Sequence, residues 1–127
     1  MQKIILFTAV LCLASAMSKL QAQSIYNKRW KSYINAPIND TAFLNVYADS
    51  SFITNDSGQV MVRFHSWISG DTLSLIDYGT EEQGCPNLKG VYKINVTGDT
   101  FTLTLIGDDC DGRSQALAGR KWVEVKK

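Results

Sequence analysis

His65 is the single histidine of this sequence, and its side chain is of a type that could support catalysis. A lone histidine acts as a general base only beside an oriented partner. Apolar and polar residues alternate along its segment, which places His65 with Arg63 and Trp67 on the outward face of a strand. No serine stands in a nucleophile-elbow motif, and no glycine-rich motif suits a phosphate. We therefore expect a surface histidine, no cofactor and no enzyme.

A second candidate is the acidic group of Asp108, Asp109 and Asp111, which flanks Cys110 and precedes Gly112. Carboxylates around a glycine are typical of calcium loops, but this group lacks the spacing and the closing glutamate of an EF-hand. A solvated turn is the expected structure, and no metal site is predicted.

Arg113 is the third candidate, three residues after Cys110. Its guanidinium can meet the head group of an anionic ligand, or it can form an ion pair within the chain. The acidic residues considered as its partners are Asp109 and Glu82, and pairing is the favoured alternative.

The cysteines are the fourth candidate, and their interpretation depends on the amino terminus. Lys3, the apolar run 4–16 and the small residue Ala22 have the pattern of a secretory signal peptide covering residues 1–22. A retained anchor is the alternative. Cleavage before Gln23 would leave a single domain, 23–127, in a periplasmic or secreted protein.

Removal of the signal peptide changes the charge and the cysteine count of the chain. Basic residues fall from 13 to 11 against 12 acidic ones, so the formal net charge becomes −1. That balance lacks the basic footprint of a nucleic-acid binder, and the mature chain has no predicted membrane span. We expect a monomer.

Cys85 and Cys110 remain in the mature chain, where an oxidising compartment favours a disulfide. Such a bond would close a loop of roughly 26 residues and contribute about 3.5 kcal/mol to stability. Free thiols or an incomplete metal site are the alternatives, although one histidine and the absence of a CxxC motif make a metal site weak.

Apolar and polar residues alternate with a period of two through the mature chain, and turn residues interrupt them at short intervals. Gly70-Asp71 and Gly98-Asp99 each predict a tight hairpin. The predicted strands are 25–35, 42–48, 51–55, 59–68, 72–78, 90–97, 100–106 and 121–126, with a short helix at 114–117. Because closure removes unpaired strand edges, the sequence predicts an all-β, eight-stranded, up-and-down antiparallel barrel.

Alternate loops of such a barrel lie at the same end. Loops 36–41, 56–58, 79–89 and 107–120 share one end, so Cys85 and Cys110 are predicted to lie together there. The two Gly-Asp hairpins are predicted at the other end.

The carboxyl-terminal part of the chain resembles small bacterial lipocalin-like proteins of the calycin group. The resemblance is carried by Gly84-Cys85-Pro86, Gly90-Val91-Tyr92, the run 98–105, Cys110-Asp111-Gly112-Arg113, Leu117 and Trp122, together with Trp30 in the first strand. It implies that the cysteine-bearing end is the open mouth of the barrel. It also implies a basic residue packed over Trp30, for which Arg120 and Lys121 are the candidates.

Side chains predicted to face the interior set the expected function. They are Phe64, Leu73, Leu75, Tyr92, Ile94, Phe101, Leu103 and Leu105. We expect a binding barrel for a small apolar or amphipathic molecule, contacted by Phe64, Leu75, Tyr92, Phe101, Leu103 and Arg113. The alternative is a protein-interaction or inhibitory barrel that uses loops 79–89 and 107–120.

Overall fold

A computed structural model describes residues 21–35, 39–79 and 84–126. Its strands are β1 (Lys28–Ile34), β2 (Asp40–Val46), β3 (Ser50–Thr54), β4 (Val60–Ser69), β5 (Thr72–Tyr78), β6 (Lys89–Thr97), β7 (Thr100–Asp108) and β8 (Lys121–Glu124). Helix α1 (Asp111–Leu117) precedes β8 and begins three residues earlier than predicted. Within the described ranges, no helix is both long enough and apolar enough to cross a membrane.

Each strand pairs antiparallel with the next, and β1 also pairs with β8, so the sheet is a closed up-and-down barrel. The predicted fold class is therefore confirmed. The closing strand is short: β8 pairs with Thr100–Thr102 of β7 and with Trp30 and Lys31 of β1. Beyond these pairs, β1 and β7 are joined by α1 and the residues after it.

The two predicted Gly-Asp hairpins connect β4 to β5 and β6 to β7. Gly70 has a φ of 64° and Gly98 a φ of 61°, the backbone conformation that a tight hairpin needs and that glycine adopts without steric cost. We call the end that carries them the hairpin end.

Residues 21–26 cover the hairpin end. Ala22 and Ile25 are buried in the core, and the Trp30 indole Nε1 donates to the Ile25 carbonyl at 3.1 Å. The Ile68 amide donates to the Tyr26 hydroxyl at 2.9 Å. Ala22 precedes the predicted cleavage point, while residues 1–20 of the predicted signal peptide lie outside the described part.

Aromatic side chains pack across the barrel interior. The rings of Trp30 and Phe101 meet edge to face with centroids 4.7 Å apart, and those of Phe101 and Trp122 stack at 6.4 Å. Both tryptophans are fully buried. Edge-to-face and offset contacts are the favourable geometries for aromatic pairs, so the three rings form the centre of the core.

One residue predicted to lie inside is half exposed. The register pairs Leu105 with Tyr92, which puts both on the inner face, but a bulge lets β7 run on so that Val91 pairs with Gly107. Leu105 is 46% exposed because β8 no longer runs beside this part of β7. The prediction that Leu105 fills the interior was therefore wrong.

Candidate functional site

The predicted disulfide is present and joins Cys85 to Cys110, with Cα atoms 6.0 Å apart. Cys85 lies before β6, and Cys110 lies between β7 and α1, so the bond ties two loops at one end of the barrel. We call this the disulfide end. The alternatives of free thiols and an incomplete metal site do not describe this form of the protein.

Arg113 of α1 lies beneath the disulfide and binds two carboxylates. Its Nε and Nη2 donate to the two carboxylate oxygens of Asp108 at 2.7 and 2.6 Å, a bidentate contact. Nη1 donates to Asp77 of β5 at 2.8 Å, and Nη2 also donates to the Leu88 carbonyl at 2.8 Å. Bidentate contacts between arginine and a carboxylate are among the strongest and most directional hydrogen bonds in proteins.

The same two carboxylates hold the backbone of both cysteines. Asp77 Oδ2 accepts the Cys85 amide at 2.7 Å, and Asp108 Oδ1 accepts the Cys110 amide at 2.8 Å. One arginine thus orients two carboxylates, and each carboxylate orients one half of the disulfide. We call Arg113, Asp77, Asp108 and Tyr92 the arginine cluster.

Tyr92 completes the cluster from inside the barrel by donating its hydroxyl to Asp108. Burial raises the pKa of Tyr92, and the hydrogen bond to Asp108 raises it further. Burial also raises the pKa of Asp108, but hydrogen bonds from Arg113, Tyr92 and the Cys110 amide outweigh it, so that pKa is lowered overall. Asp108 is therefore held as a carboxylate that accepts from three donors.

Gly90 gives the cluster its space. It is buried and pairs with Asp108 across β6 and β7. A Cβ at this position would lie 2.5 Å from Asp108 Oδ2 and 3.1 Å from Arg113 Nε, closer than non-bonded atoms can approach without displacement. Glycine is thus required by the close approach of the carboxylate.

Helix α1 lies across the disulfide end, which the resemblance had predicted to be the open mouth. Leu117 is fully buried and belongs to the hydrophobic core, and its carbonyl accepts the Trp122 indole at 3.3 Å. With Arg113 it places two buried side chains of α1 against the inner residues of the barrel.

The five apolar residues predicted to contact a ligand all lie in the core. Phe64, Leu75, Tyr92, Phe101 and Leu103 are each at most 1% exposed. These side chains therefore present almost no accessible surface to a ligand.

Arg113, the remaining predicted ligand contact, has its guanidinium on two carboxylates, where an anionic head group would have to compete. The favoured prediction of an internal ion pair is confirmed. The partners of Arg113 are Asp77 and Asp108, and not the predicted Asp109. The other proposed partner, Glu82, lies outside the described residues. Asp77, 36 positions from Arg113 in the chain, was not among the predicted partners.

The cation over the Trp30 ring is Lys28, and neither Arg120 nor Lys121 as predicted. Lys28 Nζ lies 5.9 Å from the Trp30 ring centroid. Arg120 instead donates to the Tyr33 carbonyl of β1 at 2.7 Å and to the Gln115 carbonyl of α1 at 2.6 Å. It therefore connects β1 to α1 where β8 does not extend.

His65 is exposed on the outer face, as predicted, and stacks on Tyr78 with ring centroids 4.3 Å apart. A group of possible metal ligands is formed by Asp77, Cys85 and Cys110, whose ligand atoms lie within 4.8 Å of one another. Both sulfur atoms are in the disulfide and Asp77 is bound to Arg113, so this group offers no free thiolate pair.

Three apolar side chains are exposed beside the arginine cluster. Leu88, Leu105 and Ile106 are 39%, 46% and 60% exposed. Leu88 precedes β6, and the other two lie on β7, the strand next to it. The disulfide end thus combines the buried ion pairs of the arginine cluster with the exposed side chains of Leu88, Leu105 and Ile106. We call these three side chains the apolar edge.

Comparisons with known protein families, with curated proteins and with solved structures found no match to this chain.

Proposed function

We propose that the protein is an exported, lipocalin-like barrel that binds a partner protein through its disulfide end. The observation that carries the proposal is the exposure of Leu88, Leu105 and Ile106 next to the arginine cluster, where the Leu88 carbonyl accepts from Arg113 and Leu105 pairs with Tyr92. Exposed apolar side chains grouped on a rigid support are typical of protein-interaction sites. The rings of Trp30, Phe101 and Trp122, by contrast, pack inside the barrel.

Preorganisation strengthens the proposal. The arginine cluster and the disulfide fix the backbone on both sides of the apolar edge before any partner arrives. A surface that is already ordered loses little conformational entropy on association. Buried ion pairs are costly to desolvate, so their presence here supports a role in positioning these loops.

A small apolar ligand is the second candidate, and one observation supports it. Leu105 shares the inner face with Tyr92 but is half exposed, since β8 covers only the first part of β7. A ligand could contact the core edge there. The burial of the other predicted contact residues argues against a ligand deeper in the barrel.

Site-specific photocrosslinking in the producing cells tests the proposal. A photoreactive residue is placed at Ile106, and the matched control is placed at Asn95, an exposed position on β6 nearer the hairpin end. We expect a protein adduct of one defined mass from position 106 and none from position 95. Excess unlabelled wild-type protein should suppress the adduct, whereas an L88S/I106S double variant should not.

Two results would count against the proposal. Adducts of similar yield from positions 95 and 106 would show that the disulfide end is not selective. Native mass spectrometry of the purified protein provides the other test, because a stoichiometric small molecule that is lost from a Leu105→Asp variant would favour the second candidate.

A further inference from the structure

The outer face of β1 carries a row of side chains that point away from the core. Arg29, Lys31 and Tyr33 are exposed and alternate along the strand with the buried Trp30 or with other inward residues. Successive members of the row lie two residues apart, or about 7 Å along a strand. The row therefore runs along the wall of the barrel and presents two cations followed by an exposed ring.

Strand β8 adds a third cation beside this row. Val123 pairs with Lys31, and the exposed Lys121 lies two residues before Val123 on the same face of β8. That position is diagonal to Lys31, at about 7–8 Å in paired strands. Arg29, Lys31 and Lys121 are therefore neighbours on one surface, along the line where β1 meets β8.

Two grooves follow this line. The first has a volume of about 360 Å³ and is lined by Lys31, Tyr33 and Lys121 together with their strand neighbours. The second has a volume of about 440 Å³ and is lined by Arg29 and Tyr47 together with neighbouring residues. Each groove combines cationic side chains with one exposed tyrosine, since Tyr33 is 54% and Tyr47 43% exposed. We call Arg29, Lys31, Lys121, Tyr33 and Tyr47 the basic seam.

The cations of the basic seam are available to a ligand. Among the described residues, no carboxylate forms an ion pair with Arg29, Lys31 or Lys121. Glu124, which lines the second groove, is bound by two other lysines. An anionic ligand would therefore meet these cations without displacing an internal partner.

The rings and the guanidinium of the seam are held by neighbouring side chains. The Arg29 guanidinium lies 3.9 Å from the centroid of the Phe43 ring, an arrangement that leaves its N–H donors free at the edge. Tyr47 stacks on Phe52 with ring centroids 6.2 Å apart. The Tyr33 hydroxyl donates to a side chain just before β2 at 2.6 Å. The seam is therefore ordered before a ligand binds.

We propose that the basic seam binds single-stranded nucleic acid. Phosphates would lie on Arg29, Lys31 and Lys121, and bases would stack on Tyr33 and Tyr47, as they stack on the aromatic side chains of single-strand binders. The expectation of no nucleic-acid partner rested on the net charge of the whole chain, which does not report a local patch. The seam shares no residue with the apolar edge, so the proposal does not depend on the function proposed for the disulfide end.

The spacing of the cations fits the repeat of an extended single strand. One nucleotide and two residues of a β-strand contain the same number of backbone bonds, so the phosphates of an extended strand repeat at about the 7 Å that separates Arg29 from Lys31. In a duplex the base faces are covered by stacking on one another. Tyr33 and Tyr47 cannot stack on covered faces, so the rings favour a single strand.

Fluorescence anisotropy of labelled oligothymidylate tests the inference, with an abasic oligomer of the same length and a polyuronate as comparison polymers. The abasic oligomer has the same phosphates and no bases. We expect saturable binding of oligothymidylate at low salt, about tenfold weaker binding of the abasic oligomer because stacking is lost, and weaker binding of polyuronate. Three phosphate contacts predict that the logarithm of the association constant falls with that of the salt concentration with a slope of about −2.

A matched pair of double variants separates the seam from net charge. K31Q/K121Q removes two cations from the seam, and K89Q/K93Q removes two exposed cations from β6, which is three strands away from β1 around the barrel. We expect the first to raise the dissociation constant at least about tenfold and to reduce the salt slope to about −0.7. The second should change the dissociation constant by less than about twofold, because screened charges act over roughly 10 Å.

A second pair of variants tests the rings. Y33S/Y47S should bind oligothymidylate only as tightly as the abasic oligomer, and its affinity for the abasic oligomer should equal that of the wild type. Tyr78→Ser removes an exposed ring from β5, outside the seam, and should change neither affinity.

The proposal is overturned if the wild type does not bind oligothymidylate at low salt, if both lysine variants weaken binding equally, or if the abasic oligomer binds as tightly as oligothymidylate. Tighter binding of polyuronate than of oligothymidylate would also overturn it and would assign the seam to an acidic sugar polymer. Circular dichroism and thermal unfolding of each variant show whether it is folded. The substituted positions are exposed, so loss of folding is not expected.

Discussion

Arg113 Nη1 lies 2.8 Å from Asp77 Oδ1, and the two side chains are only 4% and 2% exposed. The pair joins α1 to β5 across the disulfide end. Asp108 binds the same guanidinium with a side chain that is fully buried. One cation therefore serves two buried carboxylates, and its removal would leave both without a counter-charge.

Replacement of Arg113 by Met is expected to destabilise the protein strongly. Breaking a buried ion pair from one side typically costs about 3–5 kcal/mol, because the remaining charge stays buried. Urea denaturation measures the loss of unfolding free energy. Lys121→Met, at an exposed position on β8, is the control and should change it by less than about 0.5 kcal/mol; an equally small effect of Arg113→Met would contradict the structure.

Protonation of Asp108 is expected to lower the stability of the folded protein in acid. Its pKa is lowered in the folded protein, so the unfolded chain takes up the proton first. The contribution is full above the ordinary carboxyl range near pH 4 and is lost as the pH falls through the lowered pKa. Denaturation midpoints between pH 7 and about pH 2 measure it. Asp108→Asn should flatten this dependence, whereas Asp56→Asn, in an exposed turn, should leave the slope unchanged.

Ionisation of Tyr92 is expected to lower the stability of the folded protein at alkaline pH. Its pKa is raised by burial and by Asp108, so its stabilising effect is complete below the ordinary tyrosine pKa near 10 and declines as the pH rises above it. Tyr92→Phe should reduce the alkaline decline and lower stability at neutral pH by about 1–2 kcal/mol through the lost hydrogen bond. An alkaline limb identical to that of the wild type would refute this assignment.

Gly90→Ala is expected to destabilise by about 1–3 kcal/mol, the usual cost of overpacking a filled site. The added Cβ would displace Asp108 from Arg113, since it would lie 2.9 Å from Asp108 Cγ. Gly107→Ala is the matched control, because nothing lies within 4 Å of a Cβ there. Thermal unfolding of the two variants compares them, and equal midpoints would show that the carboxylate can move freely.

Loss of the disulfide is expected to lower stability by about 3.5 kcal/mol, as the chain-entropy relation gives for this loop. A C85S/C110S variant, compared with the wild type in denaturant with and without reductant, measures the difference. Reductant should destabilise the wild type and leave the variant unchanged. Titration of two free thiols in the native protein would contradict the bond.

Period-two patterning and the Gly-Asp turns were sufficient to predict the eight strands and the placement of both cysteines. They constrain local conformation, and closure then follows from edge pairing. Asp77, a partner of Arg113, was harder to predict from the sequence. A signal existed, because Asp77 continues the inward alternation of Leu73 and Leu75. A carboxylate that is buried at an inward position, as Asp77 is, requires a cation or hydrogen-bond donors beside it.

The exposure of Leu105 could not be predicted from alternation. It results from a bulge and from the shortness of β8, both of which depend on how three strands meet. Arg120 was misplaced because it lies before β8 and donates to the carbonyls of Tyr33 and Gln115.

The pairing of β1 with β8 has a consequence for how the chain acquires its structure. Trp30 and Glu124 are register partners, so the first strand stays incompletely paired until β8 has left the ribosome and any export channel. Contacts between such distant parts of a chain form slowly. The barrel therefore closes only after β8 has emerged, and a chain truncated before β8 would keep β1 as an open edge.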